Sequence, residues 1–142
     1  MIIYTLNFLL AVLTGSMIFF MAVVSPSVFA TLSTNASSKL LRTIFPRMFL
    51  FGFIIAILSL ILSYISDDIL NSILLVIVAV SFIINRNYLT PKINNFRDEE
   101  LEGDQKASSN FKYMHLFSVL LFLLNFIILV SIVIINYFNY NL

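Results

Sequence analysis

Apolar residues run almost without a break through residues 3–24, 45–66, 69–85 and 114–138, and polar residues gather between those runs. Most of the runs reach the roughly 20 residues that a helix needs to cross a hydrocarbon core about 30 Å thick. The pattern predicts an all-α integral membrane four-helix bundle in a single domain. Polar connections fall at about 25–44 and 86–113, and a tight turn falls at Asp67-Asp68, where Asp67 is placed to cap the third helix. Pro26 and Pro46 flank the first long connection and read as helix ends, because a proline removes an amide donor. The third run is short, so Arg86 is expected to snorkel and Tyr88 to sit among headgroups. In the second long connection Thr90-Pro91 reads as N-cap and first residue of a short amphipathic helix that stops at Gly103 and lies on the membrane surface. Ser108, Ser109 and Asn110 read as the entry to the fourth span. A cleaved signal peptide ending near Val28 and Ala30 is the rival reading of the first run. It fits less well, since no basic segment precedes an apolar stretch that far exceeds the usual length of about 7–15 residues.

In lipid, helices associate through small residues and polar side chains rather than by hiding apolar surface. Each span is therefore expected to carry such a stripe toward its neighbours. In the second it is Gly52, Ala56, Ser59, Ser63 and Ser66, spaced by four and three as in a left-handed bundle. In the first it is Asn7, Ala11, Thr14, Ile18, Ala22 and Ser25, and in the fourth His115, Ser118, Phe122, Asn125, Leu129, Ile132 and Asn136. Ser81 and Asn85 give the third a weaker version.

Charge adds an orientation. With four spans, all eight lysines and arginines fall on the first and third connections or their edges, and basic residues in short loops mark the cytoplasmic side. Both termini are thus expected outside, with the short amphipathic helix cytoplasmic, in a bacterial cytoplasmic membrane. Composition agrees with the class, since 61% hydrophobic and 11% charged residues leave too little polar surface for a globule in water. Zero cysteines and one histidine exclude thiolate chemistry and a single-chain zinc site built on Cys and His. A net charge of +1 does not point to nucleic acid. There is no nucleophile motif, phosphate-binding glycine loop or pair of intramembrane carboxylates, so a hydrolase or transferase finds no support.

The candidate chemistry sits at the cytoplasmic end. Arg47, Asn85, Arg97, Asp98, His115, Ser118 and Asn125 are expected to form a polar cluster there, with His115 bonding an interfacial carbonyl or pairing with Asp98. Interhelical hydrogen bonding accounts for the serines and asparagines without any ligand, and lipid-headgroup anchoring accounts equally for the arginines. His115 could also bind haem, with Met114, Met48, Met17 or a second subunit as the other axial ligand.

The order and spacing of several landmarks resemble a known family. Gly15 with Phe19-Phe20, Pro26-Ser27-Val28-Phe29, and Phe45-Pro46-Arg47-Met48-Phe49 with Gly52 come first. Asn85, Thr90-Pro91-Lys92-Ile93-Asn94, Arg97-Asp98, and Phe111, His115, Ser118 and Asn125 follow. The chain is similar in these to small bacterial membrane proteins of unknown function that share the domain of the eukaryotic transmembrane protein 205. The resemblance implies four spans and carries no activity. Three functions are weighed: a non-enzymatic binding or accessory protein that meets a small ligand, membrane lipid or partner at the cytoplasmic cluster; a haem or redox protein using His115; and a subunit of a small transporter. The last needs a homo-oligomer or another membrane protein, because four spans make a thin pore wall and none carries a midplane charge.

Overall fold

The computed structural model describes residues 1–141 as four long helices: α1, Ile2–Thr31; α2, Thr34–Ile65; α3, Ile69–Leu101; and α4, Gln105–Asn141. All four are long and apolar enough to cross a membrane. The protein is a multi-pass membrane protein, and no strand occurs among the described residues.

The helices extend well beyond the apolar runs, so the two long connections are mostly helix. What remains of the first is the corner Leu32-Ser33, which is extended. Ser37 ties it down from inside α2, donating to the Ser33 carbonyl at 2.9 Å with the Leu32 carbonyl 3.3 Å away. Neither Pro26 nor Pro46 ends its helix, and Pro46 lies inside α2. Pro26 and Pro91 share one local device. Each follows a π turn, Phe20–Val24 or Asn85–Leu89, in which the amide just before the proline bonds the carbonyl five residues back: Ser25 to Phe20 and Thr90 to Asn85. A proline ring collides with the carbonyl four residues behind it. The wider turn offers a way around that collision while backbone groups stay paired, as a bilayer requires. Thr90 is accordingly helical rather than an N-cap, and its hydroxyl donates to the Asn85 carbonyl at 2.7 Å. The expected surface helix after span three is the continuation of α3.

The other two corners repeat one design. In Ser66-Asp67-Asp68 the Asp67 backbone is left-handed (φ +56°), the Asp67 amide bonds the Tyr64 carbonyl and the Asp68 amide the Ser63 carbonyl. In Glu102-Gly103-Asp104 the amides of Gly103 and Asp104 bond the carbonyls of Glu100 and Glu99. Both are Schellman endings, and each delivers an aspartate to the start of the next helix. Asp68, not Asp67, caps α3 by accepting from the Asn71 amide at 3.0 Å. Asp104, not Ser108 to Asn110, caps α4 by accepting from the Lys106 amide at 2.8 Å.

Three of the four stripes face inward. Gly52, Ala56, Ser59 and Ser63 are buried on α2, Ser81 and Asn85 on α3, and Ser118, Phe122, Asn125, Leu129, Ile132 and Asn136 on α4. His115 is the exception on α4 and is exposed. The α1 stripe holds only in part: Asn7 and Thr14 are half-buried and Asn7 bonds Asn136, but the remainder is a correction. Its buried face is Leu6, Leu10, Leu13 and Met17, while Ala11, Ile18 and Ala22 are exposed. The reason is volume: the small stripe of α2 leaves room that large side chains on neighbouring helices fill. Phe82 of α3 is the extreme case, its ring so close that a Cβ on Gly52 would stand 2.7 Å away.

At the end holding the termini and the 66–68 corner, an amide chain crosses the bundle. Asn136 donates to Asn7 at 2.7 Å, and Asn71 donates to Asn136 at 2.7 Å and to the Asp68 carboxylate at 2.6 Å. Ser63 of α2 donates to the Asp68 carbonyl at 3.1 Å. All four helices meet there. The basic end differs, because α1 beyond Phe19 packs against α2 alone and no residue of Phe20–Val24 is buried. The bundle is closed at one end and parted between α1 and α4 at the other.

Candidate functional site: a lateral groove at the basic end

The parting forms a groove of about 620 Å³. Phe20, Met21, Ser25 and Phe29 of α1 form one wall and Phe111, His115, Ser118, Val119, Phe122 and Leu123 of α4 the other. Phe45, Met48 and Phe49 of α2 lie behind, and Thr90, Ile93, Asn94 and Arg97 of α3 complete it. The aromatic lining is held ring against ring: Phe45 meets Phe20 edge-on at 5.4 Å and stacks on Phe49 at 5.9 Å, and Phe49 meets Phe122 at 6.3 Å. A shallower recess of about 230 Å³ adjoins it, lined by Lys39, Arg42, Arg97 and Leu101, and the two share Thr34, Ser38, Arg42 and Arg97. The cavity is thus apolar in depth and basic at its mouth.

Two ion pairs organise that mouth. Arg42 forks onto Asp98, its Nη1 at 3.0 Å from Oδ2 and its Nη2 at 2.6 Å from Oδ1. Asp98 stands on the part of α3 outside the membrane-spanning run, and the hydrogen bonds from Arg42 hold its carboxyl below the ordinary range. Arg97 pairs with Glu100 at 2.5 Å and covers the Phe111 ring at 5.4 Å, while Glu100 accepts from Ser108 of α4 at 2.7 Å. His115 stacks nearly parallel on Phe111, one turn away, at 5.7 Å. Arginine and histidine thus both pack on the Phe111 ring at the rim. Behind the wall, Ser118 donates to the side-chain carbonyl of Asn85 at 2.5 Å.

Of the seven residues expected to cluster, Arg97, His115 and Ser118 line the groove, and Asn85 backs Ser118. Asp98 joins only through Arg42. His115 does not pair with Asp98, whose two oxygens are both taken by Arg42. Arg47 is exposed and lines neither recess, and Asn125 lies deeper than the groove, in the core. Of the methionines considered as partners for His115, Met48 lines the same groove, whereas Met17 belongs to the core. Among the described residues no group of three or more histidines and acids could hold a metal ion.

The sequence pattern of DUF4149, a domain of unknown function, matches residues 8–102. The chain belongs to the DUF4149 family. The matched part of this DUF4149 protein takes in most of α1 together with α2 and α3, and thus three of the four groove walls; the landmarks Phe111, His115, Ser118 and Asn125 lie beyond it. No curated protein and no solved structure matches the chain.

Arg42, Phe45 and Thr90 are site residues that sequence reasoning missed. A signal for Phe45 existed in the intervals Ser37, Leu41, Phe45, Phe49, Gly52 and Ala56, which carry the helical period upstream through Pro46 and put Arg42 on the same helix. Taking Pro46 as a helix end hid it.

Proposed function

We propose that this DUF4149 protein is a non-enzymatic binding protein that holds an anionic lipid in the lateral groove, with the acyl chain among the phenylalanines and the headgroup at Arg42, Arg97 and Lys39. The observation that carries this reading is the match between groove and leaflet. The wall on α4 runs from Phe111 to Leu123, twelve positions or about 18 Å of helix. Its lower ten positions begin at the level of the exposed Tyr113. Tyrosines of this kind mark the headgroup level, so the groove reaches inward by about 15 Å, half of a hydrocarbon core about 30 Å thick. An apolar slot one leaflet deep, open sideways and topped by arginines, suits a lipid better than a water-soluble ligand. The eight basic residues at this end support a reading in which it lies in the cytoplasmic leaflet. The likeness to the transmembrane protein 205 domain rests on the residue landmarks alone and adds no ligand.

Fluorescent phosphatidylglycerol and phosphatidylcholine, each titrated into detergent-purified protein, test the reading. Phosphatidylglycerol binds more tightly, and Arg42→Gln with Arg97→Gln abolishes the preference. Equal weak binding of both lipids, unchanged by the substitutions, would refute it.

The haem reading keeps one specific support, that His115 and Met48 border the same groove. A Soret band in purified protein that vanishes in His115→Ala is its signature, and a colourless protein counts against it.

A further inference from the structure

Asn125 is fully buried, and neither its side-chain oxygen nor its nitrogen has a partner. On α3, Ser81 Oγ and Asn85 Nδ2 are also buried and unpartnered. The α3–α4 seam is pinned on either side of Asn125 by direct bonds, Ser118 to Asn85 at 2.5 Å and Asn71 to Asn136 at 2.7 Å. Asn125 stands seven positions from Ser118 and eleven from Asn136, about 10 and 16 Å along the helix. Interpolating between the two bonds sets it opposite the stretch from Ala79 to Ser81. Ser81 and Asn85 are four apart and so share a face of α3.

An amide carries two donors and an oxygen with two lone pairs, and leaving them unpaired in a bilayer interior is costly. At the closed end the same side chain is answered directly by other asparagines. Here the buried residues of α3 are Ala79 and Ser81, Val80 being turned outward, and neither Ser81 nor Asn125 finds a direct side-chain partner. Polar groups that face each other beyond bonding reach are joined well by water, whose two donors and two acceptors complement an amide. Ser81, Asn85 and Asn125 are neutral and no carboxylate is among the buried unpartnered groups, so a cation there would find no countercharge. We propose that Asn125, with Ser81 and Asn85, holds internal water between α3 and α4. The water site continues the polar line of Thr90, Asn85 and Ser118 from the groove into the middle of the membrane, beneath the Phe49 and Phe122 rings. The proposal stands on the unpartnered groups alone and does not depend on what fills the groove.

The test uses full-length protein in lipid nanodiscs with 15N-labelled asparagine, reading magnetisation transfer from water to the side-chain amides. The Asn125 signal is identified by its disappearance in Asn125→Leu or, where that variant does not fold, in Asn125→Gln. The buried amide of Asn136, bonded to protein, serves as the internal control. Strong transfer to Asn125, several-fold above Asn136 and reduced in Ser81→Ala, is the expected result. Transfer no greater than that of Asn136, with contacts from the Asn125 amide to protein protons only, overturns the proposal. Strong transfer unchanged in Ser81→Ala removes Ser81 from the site.

Discussion

Gly52 shows how much can depend on one missing carbon. Phe82 occupies the space that a Cβ would take, and its ring, 1% exposed in the core, has no free direction in which to retreat. Gly52→Ala should therefore cost about 1–3 kcal/mol through overpacking, read as a lower thermal midpoint in detergent. An unchanged midpoint would mean that α2 and α3 part without penalty. Asn136 is the corresponding polar case. Asn136→Leu strands the Asn71 donor and the Asn7 acceptor together, and unsatisfied buried groups cost about 1–3 kcal/mol each. Membrane averages near 0.6 kcal/mol per interhelical bond set the lower bound. The expected loss in thermal unfolding exceeds that of Asn139→Leu, a change on an exposed residue one turn away.

At the scale of elements, the apolar runs announced four helices, and the small stripe of α2 was legible residue by residue. What escaped notice was the helix beyond each run. Pro26, Pro46 and Pro91 look like boundaries when only local rules are applied, yet before Pro26 and Pro91 the backbone keeps its pairing by widening a turn, and Pro46 is carried inside α2. The inward face of α1 escaped for a different reason. Leu6, Leu10 and Leu13 are indistinguishable from lipid-facing leucines until the volume left by α2 is known. The site inherited the first of these errors, since Arg42 and Thr90 lie on stretches of α2 and α3 beyond the apolar runs.

The Arg42–Asp98 fork joins the basic ends of α2 and α3, and its pH response follows from the depressed carboxyl. A lowered folded value means that the pair's contribution is complete above the unfolded value near 3.9 and fades as pH falls through the lower folded one. Both partners are substantially exposed, so salt weakens the pair as well. Spin labels at Asn35→Cys and Glu102→Cys should report a narrow distance distribution at neutral pH that broadens once the pH falls through the lowered value of Asp98, below the ordinary carboxylate range. Asp98→Asn should broaden it already at neutral pH; a distribution indifferent to both changes would show that the fork does not hold these ends.

For the whole molecule, the exposed tyrosines are the side chains expected at the two headgroup levels. Tyr4, Tyr64 and Tyr137 are exposed at the closed end and Tyr88 and Tyr113 toward the basic one. The 24 positions from Tyr113 to Tyr137 span about 36 Å of helix, enough to bracket the hydrocarbon core. The absence of cysteine makes the orientation directly measurable. Ser33→Cys and Glu102→Cys should react with a membrane-impermeant maleimide only after cells are permeabilised, and Asn139→Cys in intact cells. The reverse pattern would move the groove to the outer leaflet.

The π turns carry a consequence for how such a groove is made or lost. Each places one extra residue in a turn, so everything beyond it is rotated by about 100° relative to an unbroken α-helix. The residues that α3 lends to the groove, Thr90, Ile93, Asn94 and Arg97, all follow the second π turn, and Ser25, Phe29 and Leu32 follow the first. Their aim is thus a matter of phase rather than identity. Removing a single residue from either turn would swing that wall out of the groove while leaving the closed end as it is. In chains built this way, one-residue insertions and deletions, more than substitutions, are the short route between a bundle that is sealed and one that is open to the lipid.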